Sequence, residues 1–189
     1  MVFELSPPIL YDLGFEPAME WLAEHMQQQY GLVVSVEDDD LPKPLDNEAR
    51  VLLFRAVREL LFNVLKHAQA SCAIVRMHRD GEHLRVIVED NGVGFAPDKL
   101  SASSGKMEGF GLFSIRERLN YFGGRMEIES TPGEVTRVTL SLPLRLDKKE
   151  RPSRMATPTP VIVAPLPAAS KVVCLSPAKP RPSSSTALR

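Results

Sequence analysis

Long apolar runs are missing from this 189-residue chain. No stretch approaches the roughly 20 apolar residues that a membrane-spanning helix needs, and the N-terminus MVFELSPPIL lacks the basic and apolar regions of a signal peptide. The expectation is a cytoplasmic location. Cysteine is nearly absent: Cys72 and Cys174 stand far apart in different surroundings, which supports neither a disulfide framework nor a metal cluster, so both read as ordinary thiols. Aromatic residues make up only 6 % of the chain, and none lies among the basic residues of the C-terminal stretch, which removes the stacking platform of a nucleic-acid binder. No internal repeat is visible. The P-loop pattern is absent, and GVGFAP does not complete the GxGxxG of a dinucleotide fold.

Charge is present but unevenly spread. The net charge is −1, yet residues 148–189 carry eight Lys or Arg against one Glu, a surplus of seven positive charges. Residues 1–147 therefore hold a surplus of eight negative charges. The basic stretch is rich in Pro, Ser and Ala, offers little to bury, and is expected to be a disordered, solvated tail over 147–189. The remainder suits one domain with a moderate core.

Within that domain the periodicities alternate between helix and strand. Pro17 to Tyr30 opens with a proline fit for a first turn, then places Met19, Leu22, Ala23 and Met26 at helical spacing before Gly31. LVVSVE reads as a short strand. Asp46 can cap a helix that runs to about Gln69, with Leu53, Val57, Leu60, Leu61 and Val64 as its apolar face. AIVRMHR and HLRVIVED form strands joined across Arg79-Asp80-Gly81, with Leu84, Val86 and Val88 on one face. GLFSIRERLNYF has helical spacing and ends at Gly123-Gly124; RMEIES and VTRVTLSLP follow as strands around Thr131-Pro132-Gly133. The expected class is α/β, a two-layer sandwich with helices packed on one face of a mixed sheet.

Three stretches hold chemistry as well as structure. Opposite the apolar face of the second helix, Glu59, Asn63, Lys66 and His67 fall at steps of three and four, so a carboxylate, an amide oxygen, a cation and an imidazole share one stripe. A solvated face is the plainer account of that stripe. Yet Mg²⁺ keeps waters and phosphate oxygens, so one amide oxygen such as that of Asn63 is enough protein for it, and Lys66 suits phosphate charge. In VIVEDNGVGFAP, Asn91-Gly92 favours a two-residue hairpin, which leaves Asp90 and the pair Gly92 and Gly94 unexplained. In APDKLSASSGKMEGFG, Gly109 and Gly111 stand just before a helix, where free amides can hold phosphate oxygens; a mobile loop uses the same composition.

In this order, RELLFNVLKHA, EDNGVGFAP and EGFGLFSIRERL resemble the N, G1 and G2 boxes of the GHKL ATP-binding superfamily, over roughly residues 46–143. LSPPILYDLGFEPAMEWLAEHM and IRERL look like the nitrate-sensor and thermosensor subfamily of bacterial sensor histidine kinases. The resemblance implies a connector and first helix at 1–30, an ATP-binding catalytic domain with an ATP lid at 31–146, and the tail beyond. It implies ATP and Mg²⁺ as cofactors. Asp90 would accept a hydrogen bond from the adenine amino group, a donor that a carboxylate suits. Gly92 and Gly94 would let the backbone pass close to the nucleotide, Asn63 would bind Mg²⁺, and Lys66 and His67 would approach the phosphates. Gly109, Gly111 and Leu112 would belong to the lid and its amides, and Thr136 would support the adenine pocket, although Val135 stands where the family often has glycine.

The implied activity is that of a histidine protein kinase: transfer of the ATP γ-phosphoryl to a histidine on a dimerisation domain absent from this chain, and thence to a response regulator. Glu59, Lys66 and His67 would carry the catalytic roles. None of His25, His67, His78 and His83 is followed by an acidic residue near the start of a long helix, the acceptor setting. Membrane contact would come only through missing N-terminal regions. Two alternatives stand beside this: a GHKL ATPase in which Glu59 orients water, and a regulatory module that binds nucleotide without chemistry.

Overall fold

The computed structural model describes residues 8–96 and 110–144, without the side chain of Phe110. The stretch expected as a lid, including Gly109, and the C-terminal tail lie outside the described residues. Among the described residues no helix is long and apolar enough to cross a membrane.

A five-stranded mixed sheet forms one layer, in the order β1-β2-β3-β5-β4. Its strands are β1 (Val33–Asp38), β2 (Cys72–Asp80), β3 (His83–Asp90), β4 (Arg125–Ser130) and β5 (Thr136–Pro143). β1 runs parallel to β2; the other neighbours are antiparallel. The second layer holds α1 (Pro8–Asp12), α2 (Phe15–Tyr30), α3 (Asn47–Asn63) and α4 (Phe110–Tyr121). Strand alternation explains why the layers meet on one side only. Ala73, Val75 and Met77 on β2, Leu84, Val86 and Val88 on β3, and Val138, Leu140 and Leu142 on β5 join Leu53, Val57 and Leu61 of α3 in one core. The two-layer expectation is met.

Local chemistry places the element ends. Asp46 caps α3, its Oδ1 accepting from Ala49 N–H at 2.7 Å. Gly31 closes α2 in the left-handed region at φ 73, its N–H bonding Gln27 O. α2 begins at Phe15, two positions before the expected proline start, and α1 had no periodic signal because it is only five residues long. The β2–β3 turn is Gly81-Glu82, with Gly81 at φ 59, one residue later than Asp80-Gly81. The loop after β1 is tied down by Lys43, whose side chain is fully buried between Asp38 and Asp39 at 2.6 Å each. Burial pushes the Asp39 carboxyl up, but hydrogen bonds from Lys43 and from the Arg79 and Leu41 amides outweigh it and hold the group at about 2.

Two expectations are corrected. The helix after Asp46 does not stay α-helical to Gln69: α3 stops at Asn63 and the chain widens into a π-helical turn, Val64–Ala68, before Gln69 takes a left-handed φ of 53. Cys72 is not an ordinary thiol; it is disulfide-bonded. The other cysteine, Cys174, lies outside the described residues.

Candidate nucleotide site

The C-terminal end of β3 decides which of two adjacent carboxylates enters the site. Successive side chains on a strand point to opposite faces, so Glu89 and Asp90 cannot both face the helices. Asp90 does, together with Val88 and Val86, and it is paired in register with Thr136 at the start of β5. It lines a cavity of about 440 Å³ between α3 and the sheet. Apolar walls come from Leu60, Val64, Val88, Phe95 and Val138, and polar groups from Asn63, His67, Asp90 and Thr136. Gly94 and Leu112 also line it, so six of the expected site residues are brought together.

Asp90 is 3 % exposed. Burial raises its carboxyl pKa above the ordinary value, the Gly92 amide opposes this, and the neighbouring Glu89 charge adds to it. One oxygen, Oδ1, accepts from Gly92 N–H at 2.8 Å. The Asn91-Gly92 pair does not make the hairpin its composition favours: β3 pairs with β2 and β5, and Val93 N–H turns instead to Ala68 O at 2.9 Å. Glycine is required at this crossing, because a Cβ on Gly92 would collide with the Ala68 carbonyl and lie 2.7 Å from Asp90 Oδ1. Gly94 sits at φ 60 with the Thr131 and Glu134 carbonyls against it, which likewise leaves no room for a side chain.

The remaining stripe residues are divided. The π-helical turn carries His67 to the cavity wall along with Asn63, whereas Lys66, exposed like His67, stays off that wall with its Nζ 6.0 Å above the Phe62 ring. Glu59, Lys66, Gly92 and Gly111 are not among the cavity walls. Glu59 instead abuts α4, where a Cβ on Gly111 would lie 2.7 Å from its Oε1. Two supporting residues were missed by sequence reasoning. Ser130 Oγ bonds Thr136 Oγ1 and accepts from Phe95 N–H, each at 2.9 Å, and so ties the pocket threonine to the glycine loop. Asn91 Oδ1 accepts from Ser71 and Cys72 N–H at 3.0 and 3.1 Å, anchoring that loop to β2. Ser130 is the register partner of Thr136 across β4 and β5, a pairing that no local pattern announces.

An apolar slot with one buried carboxylate acceptor suits a flat ring that carries an amino donor. For a divalent cation, the described residues contain no cluster of three or more His, Cys, Asp or Glu. The donor set at this wall fits instead a hard ion held by the amide oxygen of Asn63 and by oxygens of a bound phosphate.

Residues 48–146 match the family model described as histidine kinase-, DNA gyrase B-, and HSP90-like ATPase, which is more than half of the chain. The chain belongs to this family. It is 34 % identical over 147 residues to an uncharacterized sensor-like histidine kinase of Chloroflexus aurantiacus, covering 76 % of this chain and 25 % of that protein. The chain thus spans about a quarter of that relative's length. Among solved structures, the histidine kinase AdeS of Acinetobacter baumannii superposes with a TM-score of 0.57 at 15 % identity, over 70 % of this chain and 66 % of that one. The blue-light activated histidine kinase of Erythrobacter litoralis gives 0.56 at 23 % identity, over 72 % and 43 %. Full-length ShkA, solved in complex with AMPPNP, gives 0.58 at 21 %, over 68 % and 29 %. These likenesses carry the fold: a mixed sheet with helices on one side, as in histidine kinase ATPase domains.

Proposed function

We propose that this chain is the ATP-binding catalytic domain of a sensor histidine kinase, and that it passes the γ-phosphoryl of ATP to a histidine on a dimerisation domain outside the chain. The observation that carries the reading is Asp90: a buried carboxylate in an apolar cavity that Asn63 and His67 also line. Such burial is costly unless a donor compensates it, and the adenine amino group is that donor in the proposed complex. Its acceptance rests on Asp90 and Thr136, with Gly92 and Gly94 keeping the loop close. Asn63 would hold Mg²⁺, while Lys66, His67, Gly109 and Gly111 would serve the phosphates. ATP with Mg²⁺ supplies the transferable phosphoryl group; the protein's share is positioning and charge neutralisation. The domain reading of a connector over 1–30, a catalytic unit over 31–146 and a tail beyond belongs to the same proposal. So do a response regulator downstream, a cytoplasmic location, and membership of the nitrate-sensor and thermosensor subfamily.

Titration calorimetry with MgADP tests the site. Asp90→Ala removes a charged hydrogen-bond acceptor and is expected to weaken binding about 30-fold or more. Asn63→Ala is expected to remove the dependence of affinity on Mg²⁺. Unchanged binding in both variants overturns the assignment. Glu59 lies against the start of α4. In this reading it polarises the metal-bound phosphates or the incoming imidazole; steady-state phosphate release that Glu59→Gln abolishes would instead make the domain a hydrolase.

A further inference from the structure

Ser130 ends β4 on the sheet face that carries Met126 and Ile128, one buried in the core and the other packed against it. A third apolar residue would continue that face; a hydroxyl stands there instead, with two partners. Ser130 Oγ accepts from Phe95 N–H and lies 2.9 Å from Thr136 Oγ1, its register partner on β5. The β4–β5 turn meets the glycine loop at the same place, where Gly133 N–H bonds Val93 O at 2.6 Å. A serine hydroxyl has one proton to give. Among the described residues, Thr136 Oγ1 is the acceptor within its reach. Were Thr136 to donate instead, the Ser130 proton would be left without a partner in a part-buried site, at the cost of an unmade bond. The favoured order therefore runs from Phe95 N–H to Ser130 and from Ser130 O–H to Thr136. It leaves the Thr136 proton to point into the cavity that Thr136 lines.

We propose that Ser130 is a positioning residue for base selection. By holding the Thr136 hydroxyl as a donor, it makes the cavity favour a purine with an amino group at C6 and an unprotonated N1 over one with a 6-oxo group and a protonated N1. Ser130 has this role only if the cavity takes a nucleotide, as proposed above. Asp90 is the register partner of Thr136 on β3, so an acceptor and a donor stand side by side. Asp90 Oδ1 is already taken by Gly92 N–H, which leaves a single carboxylate oxygen for a ligand. An amino donor beside a ring acceptor complements this pair. A 6-oxo purine offers the reverse order along the same edge, an acceptor and then an N–H. A freely turning threonine suits either order, because a hydroxyl both donates and accepts. A Thr136 oxygen that already accepts from Ser130 turns its proton towards the cavity and meets the wrong base donor to donor, leaving both groups unpaired.

Titration calorimetry on the full chain tests this with MgADP and magnesium inosine diphosphate, whose bases differ only along that edge. The parent is expected to prefer ADP by about 100-fold or more. Ser130→Ala is expected to lower that ratio about tenfold and Ser130→Thr to keep it. Ser130→Val, with the shape of threonine and no hydroxyl, should lower it as alanine does. A role confined to holding the loop would weaken both nucleotides alike and leave the ratio where it was, which overturns the inference. Equal ratios in the threonine and valine variants overturn it too, and that pair decides the matter if alanine unfolds the edge strand. In a Thr136→Ala background, Ser130→Ala should no longer move the ratio; an additive effect means that Ser130 does not act through Thr136, and overturns the assignment. A parent that binds neither nucleotide overturns the nucleotide reading and the role of Ser130 together. A parent that prefers ADP, with every Ser130 variant at the same ratio, removes the role of Ser130 alone.

Discussion

Asp90 and Glu89 are neighbours in sequence with opposite solutions to the same problem. Glu89 is buried but held by two guanidinium groups. Asp90 is buried with a single amide on one oxygen, and burial raises its pKa. A carboxyl whose pKa is raised by folding favours the folded state at low pH; that contribution is complete below the unfolded value of about 3.9 and is lost as pH rises through the folded value. At neutral pH the empty protein therefore carries the cost of an under-partnered charge. Asp90→Asn keeps an oxygen for the Gly92 amide and removes the charge. It is expected to melt at a higher temperature than the parent at pH 7 without nucleotide, an advantage that fades as pH falls towards 4. The same variant should bind MgADP about tenfold more weakly, since a charge-assisted bond becomes a neutral one. Scanning calorimetry across pH, paired with binding titration, checks both; a lower melting point at pH 7 would show that the carboxylate is compensated within the fold.

At the scale of elements, the loop after β3 and the β2–β3 turn separate two uses of glycine. Gly81 has φ 59 and open space around its missing side chain. Gly92 is closed in by the Ala68 carbonyl and by Asp90 itself. Gly81→Ala is expected to cost about 1–2 kcal/mol through backbone conformation alone and to leave MgADP affinity unchanged. Gly92→Ala must push the loop off the π-helical turn, at about 1–3 kcal/mol, and should also weaken nucleotide binding because Asp90 moves with it. Urea unfolding with calorimetry separates the two. The order of elements, the Asp46 cap and the core faces of α3 and β3 were legible because period and capping chemistry are local. The joining of Asp90 to Asn63, His67, Gly94, Leu112 and Thr136 was legible only through the ordered boxes of a family. The π-helical turn was not: VLKHA carries ordinary helical residues, and neither the Val93 amide on Ala68 O nor the left-handed Gln69 that accompany the widening is announced by a local pattern. The same widening divides His67 from Lys66, which a uniform helical stripe places together.

For the whole molecule, the proposed function turns on which histidine would receive a phosphoryl group. His25 stacks on Trp21 with ring centroids 5.2 Å apart on α2, and His78 and His83 lie on the strand pair β2–β3, on the face turned from the cavity. His67 lines the cavity itself, where in the proposed function it attends the phosphates and does not leave with one. No described histidine stands on a separate element able to approach the cavity from outside, so under the proposed function the acceptor is a histidine of another domain. Incubation with ATP labelled at the γ-phosphate is expected to leave the isolated chain without stoichiometric acid-labile label. The same label should appear on an added dimerisation domain of the matching kinase, and Asp90→Ala should abolish it by removing nucleotide. Acid-labile label on the isolated chain that disappears in His67→Gln would make His67 the acceptor and overturn the division of labour; label on the dimerisation domain that survives Asp90→Ala would place the nucleotide elsewhere.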